Sequence, residues 1–127
     1  VLMEGDDEND PLVDATRALL DGHIMLDRRL AAMNHYPAIS VLDSISRIMS
    51  AVVTREHRAK AGEIRRLAAT YKASEELVRI GAYQKGSDAD LDRAIALMPA
   101  LGRLLMQSSD ESCAIKDSID RLMAISI

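Results

Sequence analysis

The pattern of hydrophobic and polar positions changes near residue 50. Before that point the chain alternates between short apolar runs and short amphipathic stretches. The runs at Val1–Glu4 and His23–Leu26 are typical of strands, whereas residues 11–20 and Asp27–Asn34 have apolar positions at helical spacing. Short strands that alternate with short helices indicate part of a larger α/β sheet.

Local signals set the ends of these elements. Asp10 followed by Pro11 predicts a helix start, because the aspartate can cap the helix and proline is tolerated at its first position. Gly22 is predicted to end that helix. His35–Ser40 is predicted to be a loop, since the residue before Pro37 is pushed out of helical geometry. The acidic stretch Gly5–Pro11 is predicted to be a solvated loop.

The chain starts at Val1 inside a run that is typical of a strand. We therefore expect a piece of a longer protein, with apolar surface and unpaired strand edges exposed in its first fifty residues. Such a piece is expected to self-associate or to leave its first residues poorly ordered. The helical half is expected to fold on its own.

After residue 50 the pattern is helical throughout. Thr54 is predicted to cap a long helix that ends at Gly81 and has one apolar face, formed by Ile64, Leu67, Ala68, Tyr71, Leu77 and Val78. A turn at Tyr83–Asp88 is predicted to lead into a second helix, capped by Ser87 or Asp88. That helix carries Leu91, Ile95 and Met98. Pro99 is predicted to interrupt it, and Ser108–Glu111 to cap a last helix with Ile115, Ile119, Leu122 and Met123.

The amino-acid composition excludes several classes of function and structure. The 127 residues are 48% hydrophobic but include no Trp or Phe, which favours helices packed by aliphatic side chains. The net charge of −4 argues against nucleic-acid binding. The single cysteine, Cys113, excludes an internal disulfide and fits a reducing compartment. No apolar run is long enough to span a membrane, and no secretory signal opens the chain.

Few residues form a motif that is typical of catalysis, phosphate binding or metal binding. The string G-x-x-x-x-G-K-[ST] of a phosphate-binding loop is absent. The three histidines and Cys113 lack zinc-site spacing, so capping, surface or packing roles are favoured for them. The acidic loop Glu4–Asp10 lacks the alternation of a calcium site. With no nucleophile–base pair or metal cluster, a self-contained enzyme of another chemistry is disfavoured.

Two residues invite a functional interpretation. Tyr36 precedes Pro37 in a rigid turn, where a flat ring can be held at a surface. Arg47 lies among serines between two apolar stretches, from which a guanidinium can reach across an interface to a transferring phosphoryl group. From the residues alone, a structural ion pair is the favoured alternative for Arg47.

Several motifs carry a resemblance to a known family. DGHI at Asp21–Ile24, HYPAI at His35–Ile39 and SISRIM at Ser44–Met49 occur in an order and spacing that resemble the closing part of the core of type III export ATPases. These enzymes are relatives of the β subunit of the rotary ATP synthases. RIGAYQKGSDADLDRAI at Arg79–Ile95 resembles their C-terminal helical domain. The GAYQKGSD stretch is more similar to the flagellar branch than to the virulence-injectisome branch.

The resemblance implies a mainly α fold. Residues 1–50 would form the C-terminal edge of a RecA-like α/β P-loop ATPase core, and residues 51–127 a small helical bundle, the C-terminal helical domain. The complete protein would be a homohexamer that binds ATP and Mg²⁺ between subunits and couples ATP hydrolysis to the unfolding and secretion of export substrates. This chain alone would be inactive and bind no cofactor, because the phosphate-binding loop is absent.

The resemblance also implies site residues. Arg47 matches the arginine finger presented in trans to the neighbouring subunit's nucleotide, and Tyr36 matches the tyrosine that stacks on adenine. Leu104 is a possible adenine-pocket residue, where the rotary enzymes use phenylalanines near the segment Arg103–Ser109. The turn formed by Tyr83, Gln84, Lys85, Gly86, Ser87 and Asp88 matches the loop that contacts a central stalk. It lacks the acidic character of the synthase loop.

The implied partners are a coiled-coil stalk protein, export chaperones and secreted substrates, with no nucleic acid and no metal ligand in this segment. The implied location is cytoplasmic, at the cytoplasmic face of the export apparatus and peripheral to the export gate. Two alternatives stay open. The chain could come from an injectisome ATPase, or in isolation act only as a helical binding module.

Overall fold

The structure is a computed structural model that describes residues 10–127. Its elements follow in the order α1 (Pro11–Leu19), β1 (Gly22–Leu26), α2 (Arg28–Ala32), β2 (Ile39–Ser46), α3 (Met49–Val52), α4 (Arg55–Arg79), α5 (Ala89–Leu105) and α6 (Ile115–Met123). The strand predicted at Val1–Glu4 and the acidic loop as far as Asn9 lie outside the described residues. The mainly α fold class is confirmed, and the first part alternates helices and strands as the pattern predicted.

The start of α1 follows its predicted cap. The Asp10 side chain accepts a hydrogen bond of 2.7 Å from the backbone N–H of Leu12, and Pro11 occupies the first turn. One of the donors that a helix start leaves without an intrahelical partner is thereby satisfied. The helix ends before Gly22, as predicted.

Strands β1 and β2 pair antiparallel with an irregular register. Gly22 lies opposite Ser46 and Met25 lies opposite Ser40. Residues 41–44 of β2 are therefore opposed by a single residue of β1, which forms a bulge. The Ser44 hydroxyl closes this bulge, because it donates to the Ser40 carbonyl at 2.6 Å and accepts from the Met25 N–H at 3.0 Å.

The loop predicted at His35–Ser40 is wrong at its end, since β2 already begins at Ile39. The N–H of Ile39 bonds to the carbonyl of Pro37 at 2.8 Å, and Ile39 pairs with Leu26. Pro37 constrains only its own neighbourhood, so the chain is extended and free to join the ladder two residues later.

Helix α4 begins and ends at its predicted signals. The Thr54 hydroxyl accepts from the His57 N–H at 3.2 Å. At the other end Gly81 adopts a positive φ of 72°, and the N–H groups of Gly81 and Ala82 bond to the carbonyls of Val78 and Leu77. This pair of bonds is the Schellman arrangement, which favours glycine at that position.

Helix α5 continues through Pro99, so the predicted interruption is wrong. Proline removes one hydrogen bond of the helix, but Pro99 is exposed and its position leaves the buried face of α5 intact. Leu97 and Leu101 on either side are 2% and 6% exposed. Their burial in the bundle holds the helix together across the missing bond.

The predicted cap of the last helix is also wrong. Helix α6 begins at Ile115, its N-cap is Ala114, and no side chain bonds to its first turn. Ser108 and Asp110 hydrogen-bond to each other instead, so Ser108–Glu111 forms a local turn ahead of the helix.

Among residues 10–127, the buried apolar residues all lie in the helical part. Leu67 is fully buried, and the remaining members come from α4, α5 and the segment after α6: Ile64, Leu91, Ala94, Leu97, Leu101 and Ile125. The predicted face of α4 is correct except for Leu77, which is 53% exposed near the helix end. In the first part, apolar side chains are exposed as expected, with Leu12 at 75% and Leu19 at 87%.

Ion pairs join α4 to α5 at the surface. Arg66 contacts Asp90 at 2.7 Å, and Arg93 contacts Glu63 at 2.6 Å. The hydrogen bond from Arg66 lowers the pKa of Asp90 below its ordinary value. Because these groups are solvated, each ion pair adds little to the stability of the contact between α4 and α5. The apolar core already holds the two helices together.

Gly22 allows the close approach of β1 and β2, and we predict that Gly22→Ala destabilises the chain. A Cβ there would collide with the Ile45 carbonyl oxygen, so unfolding in urea should show that the free energy of unfolding falls by about 1–3 kcal/mol. Gly62→Ala is the matched control. Nothing lies within 4 Å of a Cβ at Gly62 in α4, so that change should stabilise by about 0.5–1 kcal/mol. Equal effects of both changes would contradict the register.

The lowered pKa of Asp90 predicts a pH-dependent contribution to stability. A carboxyl with a depressed folded pKa stabilises the fold above its unfolded pKa, and this contribution is lost as the pH falls through the folded value. Asp90→Asn should therefore lower the melting temperature at pH 7, with the difference from the parent chain shrinking below about pH 4. Asp117, in the first turn of α6, is a helix-start charge that forms no ion pair within residues 10–127. Asp117→Asn should therefore lower the melting temperature less than Asp90→Asn does. A pH-independent difference would contradict the assignment.

Candidate functional site

Arg47 follows β2 directly and lies against the end of α1. Its Nη1 donates to the carbonyls of Ala18 and Leu20, at 2.8 and 3.1 Å, and its backbone N–H donates to the Asp21 carbonyl at 2.8 Å. The last carbonyls of a helix lack intrahelical donors and carry partial negative charge. The guanidinium therefore caps α1 with one of its nitrogens.

The other nitrogens of this guanidinium face a different environment. Arg47 is an exposed residue, and within residues 10–127 its Nε and Nη2 make no hydrogen bond and no carboxylate pairs with it. The ion-pair alternative thus has no acidic partner in the described part of the chain. Chemically, the arrangement presents an oriented cation with donors available for an anion.

The bulge that precedes Arg47 is held by a residue of the helical part. Arg65 of α4 donates from Nη1 to the carbonyls of Val41 and Ser44, at 2.8 and 3.0 Å, and from Nη2 to the Leu42 carbonyl at 3.0 Å. Arg65 lies outside the apolar face that the sequence pattern predicted for α4. No local signal reveals this contact, because it joins residues more than twenty positions apart.

Tyr36 lies before a cis peptide bond to Pro37 and is 50% exposed. Its backbone carbonyl accepts a hydrogen bond of 2.8 Å from the N–H of Gln107, just beyond α5. The structure thus brings the loop of Tyr36 next to the segment Arg103–Ser109. The ring keeps an exposed surface on which a flat group can stack.

Leu104 lines two clefts, and the smaller one also includes Gln107, which bonds to the Tyr36 carbonyl. Leu104 is half-buried on α5, and the larger cleft is an open apolar one of about 270 Å³ between α4, α5 and α6. The other lining residues are His57, Leu105, Ile115, Ser118, Ile119 and Leu122. Tyr36 is not among them, so in residues 10–127 the two candidate adenine contacts do not share this cleft.

The turn between α4 and α5 is held from inside by Asp92. One oxygen of this carboxylate accepts from the Tyr83 hydroxyl at 2.9 Å, and the other accepts from the Gly86 N–H at 2.9 Å. Gly86 has a φ of 92°, a backbone conformation that a residue with a side chain adopts only with strain. Gln84 and Lys85 remain exposed at the tip. Sequence analysis missed Asp92, although its place in the first turn after a helix cap is a usable signal.

Burial raises the pKa of the Tyr83 hydroxyl, and the hydrogen bond to Asp92 raises it further. The hydroxyl is therefore a proton donor at neutral pH, and it also contacts the Asp88 carbonyl at 3.0 Å. Asp88 caps α5, accepting from the N–H groups of Asp90 and Leu91. The turn thus has a defined shape that joins two helix ends.

Residues 10–127 contain no group of three or more His, Cys, Asp or Glu side chains placed to hold a metal ion. Among these same residues, no helix combines the length and apolarity needed to cross a membrane.

The chain is similar to known proteins along nearly its whole length. Residues 53–124 match the family described as the T3SS EscN ATPase C-terminal domain. Residues 1–46 match the nucleotide-binding domain of the ATP synthase alpha/beta family.

Curated relatives include ATPases of two kinds of export system. The SPI-2 type 3 secretion system ATPase of Salmonella typhimurium is 50% identical over 98% of this chain and 29% of its own length. The flagellum-specific ATP synthase of Bacillus subtilis is 46% identical over 98% of this chain and 28% of its own length. The chain therefore spans less than a third of these relatives.

Solved structures agree with this fold. The assembled ATPase EscN from the type III secretion system of enteropathogenic E. coli has a TM-score of 0.91 and 43% identity, covering 98% of this chain and 30% of that chain. The ATP synthase subunit NeqB of Nanoarcheaum equitans has a TM-score of 0.79 at 20% identity, which shows a shared fold. Since the C-terminal domain profile covers more than half of the residues, the chain belongs to the family of type III secretion ATPase C-terminal domains, with a preceding segment of the ATP synthase alpha/beta family.

Proposed function

We propose that this chain is the C-terminal part of a type III export ATPase and contributes Arg47 to the hydrolytic centre of the neighbouring subunit. The observation that carries the proposal is the state of the Arg47 guanidinium. Its Nη1 is oriented by the carbonyls of Ala18 and Leu20 at the end of α1, whereas its Nε and Nη2 make no hydrogen bond within residues 10–127, and the residue is exposed. A preoriented cation stabilises charge that develops on a transferring phosphoryl group without having to reorganise.

The residues present fit part of a nucleotide. Arg47 offers donors for phosphate oxygens, and Tyr36 offers an exposed ring for adenine. The hydrogen bond from Gln107 to the Tyr36 carbonyl supports a pocket between this loop and the end of α5. ATP would supply the phosphoryl group, with Mg²⁺ bound to it. The proposal keeps Leu104 as a pocket residue, because Leu104 also lines a small cleft with Gln107, whose N–H bonds to the Tyr36 carbonyl.

The complete protein would be a homohexamer. The similarity of this chain to EscN, which was solved as an assembled ATPase, supports an assembly of subunits. It would act at the cytoplasmic face of an export apparatus and couple ATP hydrolysis to the unfolding and secretion of substrates delivered by chaperones. We propose the flagellar system on the basis of the GAYQKGSD stretch. The identities of 50% to an SPI-2 ATPase and 46% to a flagellar one favour neither branch.

We also propose that the chain divides near residue 50, into an edge of the nucleotide-binding core and a C-terminal helical domain. Family matches that end at residue 46 and begin at residue 53 support this division. The confinement of the buried core to α4, α5 and the C-terminal residues supports it as well, because a domain has its own core.

The turn Tyr83–Asp88 supports a second activity, the binding of a coiled-coil stalk protein. The similar ATPase EscN has been solved in complex with its central stalk EscO. In this chain Asp92 fixes the shape of the turn, and Gln84 and Lys85 are exposed at its tip. A preshaped turn binds with a smaller entropic cost than a mobile one. This would be the activity left to the isolated helical part.

Turnover of Arg47 variants tests the first proposal. In a complete ATPase that carries this segment, Arg47→Ala should lower kcat by roughly 10³- to 10⁵-fold, with a small change in KM for ATP. Arg47→Lys keeps the charge but lacks the planar fork, so it should retain the fold and lose most of the turnover. The matched control is Arg58→Ala, an exposed arginine of α4. Unchanged turnover of Arg47→Ala in assembled hexamers would falsify the finger role.

Binding of the stalk protein tests the second proposal. Lys85→Glu reverses a charge at the exposed tip and should weaken stalk binding by about tenfold, which corresponds to about 1.4 kcal/mol. Asp92→Asn removes the acceptor charge that shapes the turn and should weaken binding as well. Lys116→Glu, on exposed α6, is the control for charge alone. Calorimetry with the stalk protein of the same system gives the affinities, and equal affinities for all variants would remove the turn from the interface.

A further inference from the structure

We propose that Arg65 is the positioning residue through which the helical part sets the place of Arg47, an inference that rests on the proposed role of Arg47. Arg65 lies on α4, outside the nucleotide-facing motifs. Its guanidinium donates three hydrogen bonds, of 2.8, 3.0 and 3.0 Å, to the carbonyls of Val41, Ser44 and Leu42. All three carbonyls belong to the bulge of β2 that ends three residues before Arg47.

The chemistry of this contact is specific to arginine. Residues 41–44 are opposed by a single residue of β1, so the regular ladder does not supply donors for all their carbonyls. A planar guanidinium has several N–H groups in fixed directions, and here two of its nitrogens serve three oxygens. A lysine ammonium is a compact point charge and lacks the two separated nitrogens that this arrangement uses.

The bulge is connected rigidly to Arg47. Between Ser44 and Arg47 lie only Ile45 and Ser46, which pair with His23 and Gly22 of β1. At Gly22 the two strands approach so closely that even a Cβ would collide with the Ile45 carbonyl. The short strand end has little room to absorb a displacement of the bulge, and such a displacement therefore moves the backbone of Arg47.

Arg47 is sensitive to such a movement because its own contacts are few. Its guanidinium depends on two carbonyls at the end of α1, and its N–H depends on the Asp21 carbonyl. A misplacement of about 1 Å in a catalytic group can cost on the order of 100-fold in rate. Losing the Arg65 contact is therefore expected to reduce turnover although Arg65 itself touches no nucleotide.

A neighbouring arginine provides a matched control. Arg66 is the next residue of α4 and is likewise exposed, but it pairs with Asp90 of α5 within the helical part. Arg66→Met therefore removes an arginine and its exposed ion pair from the same helix, and it leaves the contact with β2 unchanged. The comparison separates the role of the bulge contact from a general loss of charge on α4.

The first experiment uses the 127-residue chain and measures hydrogen exchange at the Arg47 amide, which bonds to the Asp21 carbonyl. Arg65→Met should speed this exchange by about tenfold or more, because the local opening of the segment becomes easier. Arg66→Met should leave it unchanged, and Arg65→Lys should lie between the two. Circular dichroism and the melting temperature establish that each variant is folded. Unchanged exchange at Arg47 in Arg65→Met would overturn the proposal.

The second experiment measures kcat and KM for ATP in a complete ATPase that carries this segment. Arg65→Met should lower kcat by about tenfold or more with KM nearly unchanged, whereas Arg66→Met should change neither. In the Arg47→Ala background the Arg65→Met change should have no further effect, because a positioning residue acts only through the group it positions. A full additional loss in that background would overturn the proposal.

The two experiments also separate this inference from the proposed function. If Arg47→Ala leaves turnover intact, the arginine-finger role fails, while exchange at Arg47 still reports whether Arg65 orders the segment. If Arg47→Ala abolishes turnover but Arg65→Met affects neither exchange nor kcat, the finger role stands and the positioning role fails. If Arg65→Met does not fold, the exchange and kcat of Arg65→Lys decide, since that variant keeps the charge on α4.

Discussion

Backbone carbonyls that leave a strand ladder need other donors, and in this chain one guanidinium supplies them for three carbonyls at once. The contact of Arg65 with the β2 bulge joins the longest helix of the described residues to the sheet that carries Arg47. The carbonyls of Val41, Leu42 and Ser44 lie where the register of the ladder is irregular, and Arg65 supplies donors to all three. The buried apolar core of the described residues lies in the helical part and does not replace this contact. Further polar contacts join the two parts, namely the hydrogen bond from the Gln107 N–H to the Tyr36 carbonyl and the ion pair of Lys72 with Asp43.

The two parts of the chain differ in how they are held together. The helical part has a buried core around Leu67, capped helix ends and ion pairs across the surface of α4 and α5. The first part relies on hydrogen bonds of single side chains, such as Ser44 within the bulge and Arg47 at the end of α1. Exposed Leu12 and Leu19 add no internal packing. Local polar contacts thus carry more of the structure near Arg47 than burial does.

Much of the fold could be predicted from sequence because its signals are local. Asp10, Thr54 and Asp88 each cap the helix that the pattern assigned to them, and Gly81 ends α4. The errors arise where tertiary packing outweighs a local rule. Burial of Leu97 and Leu101 carries α5 through Pro99, and α6 begins at Ala114 without the cap that Ser108–Glu111 suggested. Arg65 was missed because its partners are distant in sequence.

Arg65, which contacts the bulge of β2, lies closer to the start of α4 than to its end. With a rise of about 1.5 Å per residue, Arg65 lies about 15 Å from the start of α4 at Arg55 and about 21 Å from its end at Arg79. The turn Tyr83–Asp88 follows that longer part of the helix. A tilt of α4 about the Arg65 contact displaces the turn over a distance that scales with about 21 Å, while the bulge beside the pivot scarcely shifts. For a given rotation of α4 about this contact, the residues next to Arg47 would therefore move much less than the far end of the helix.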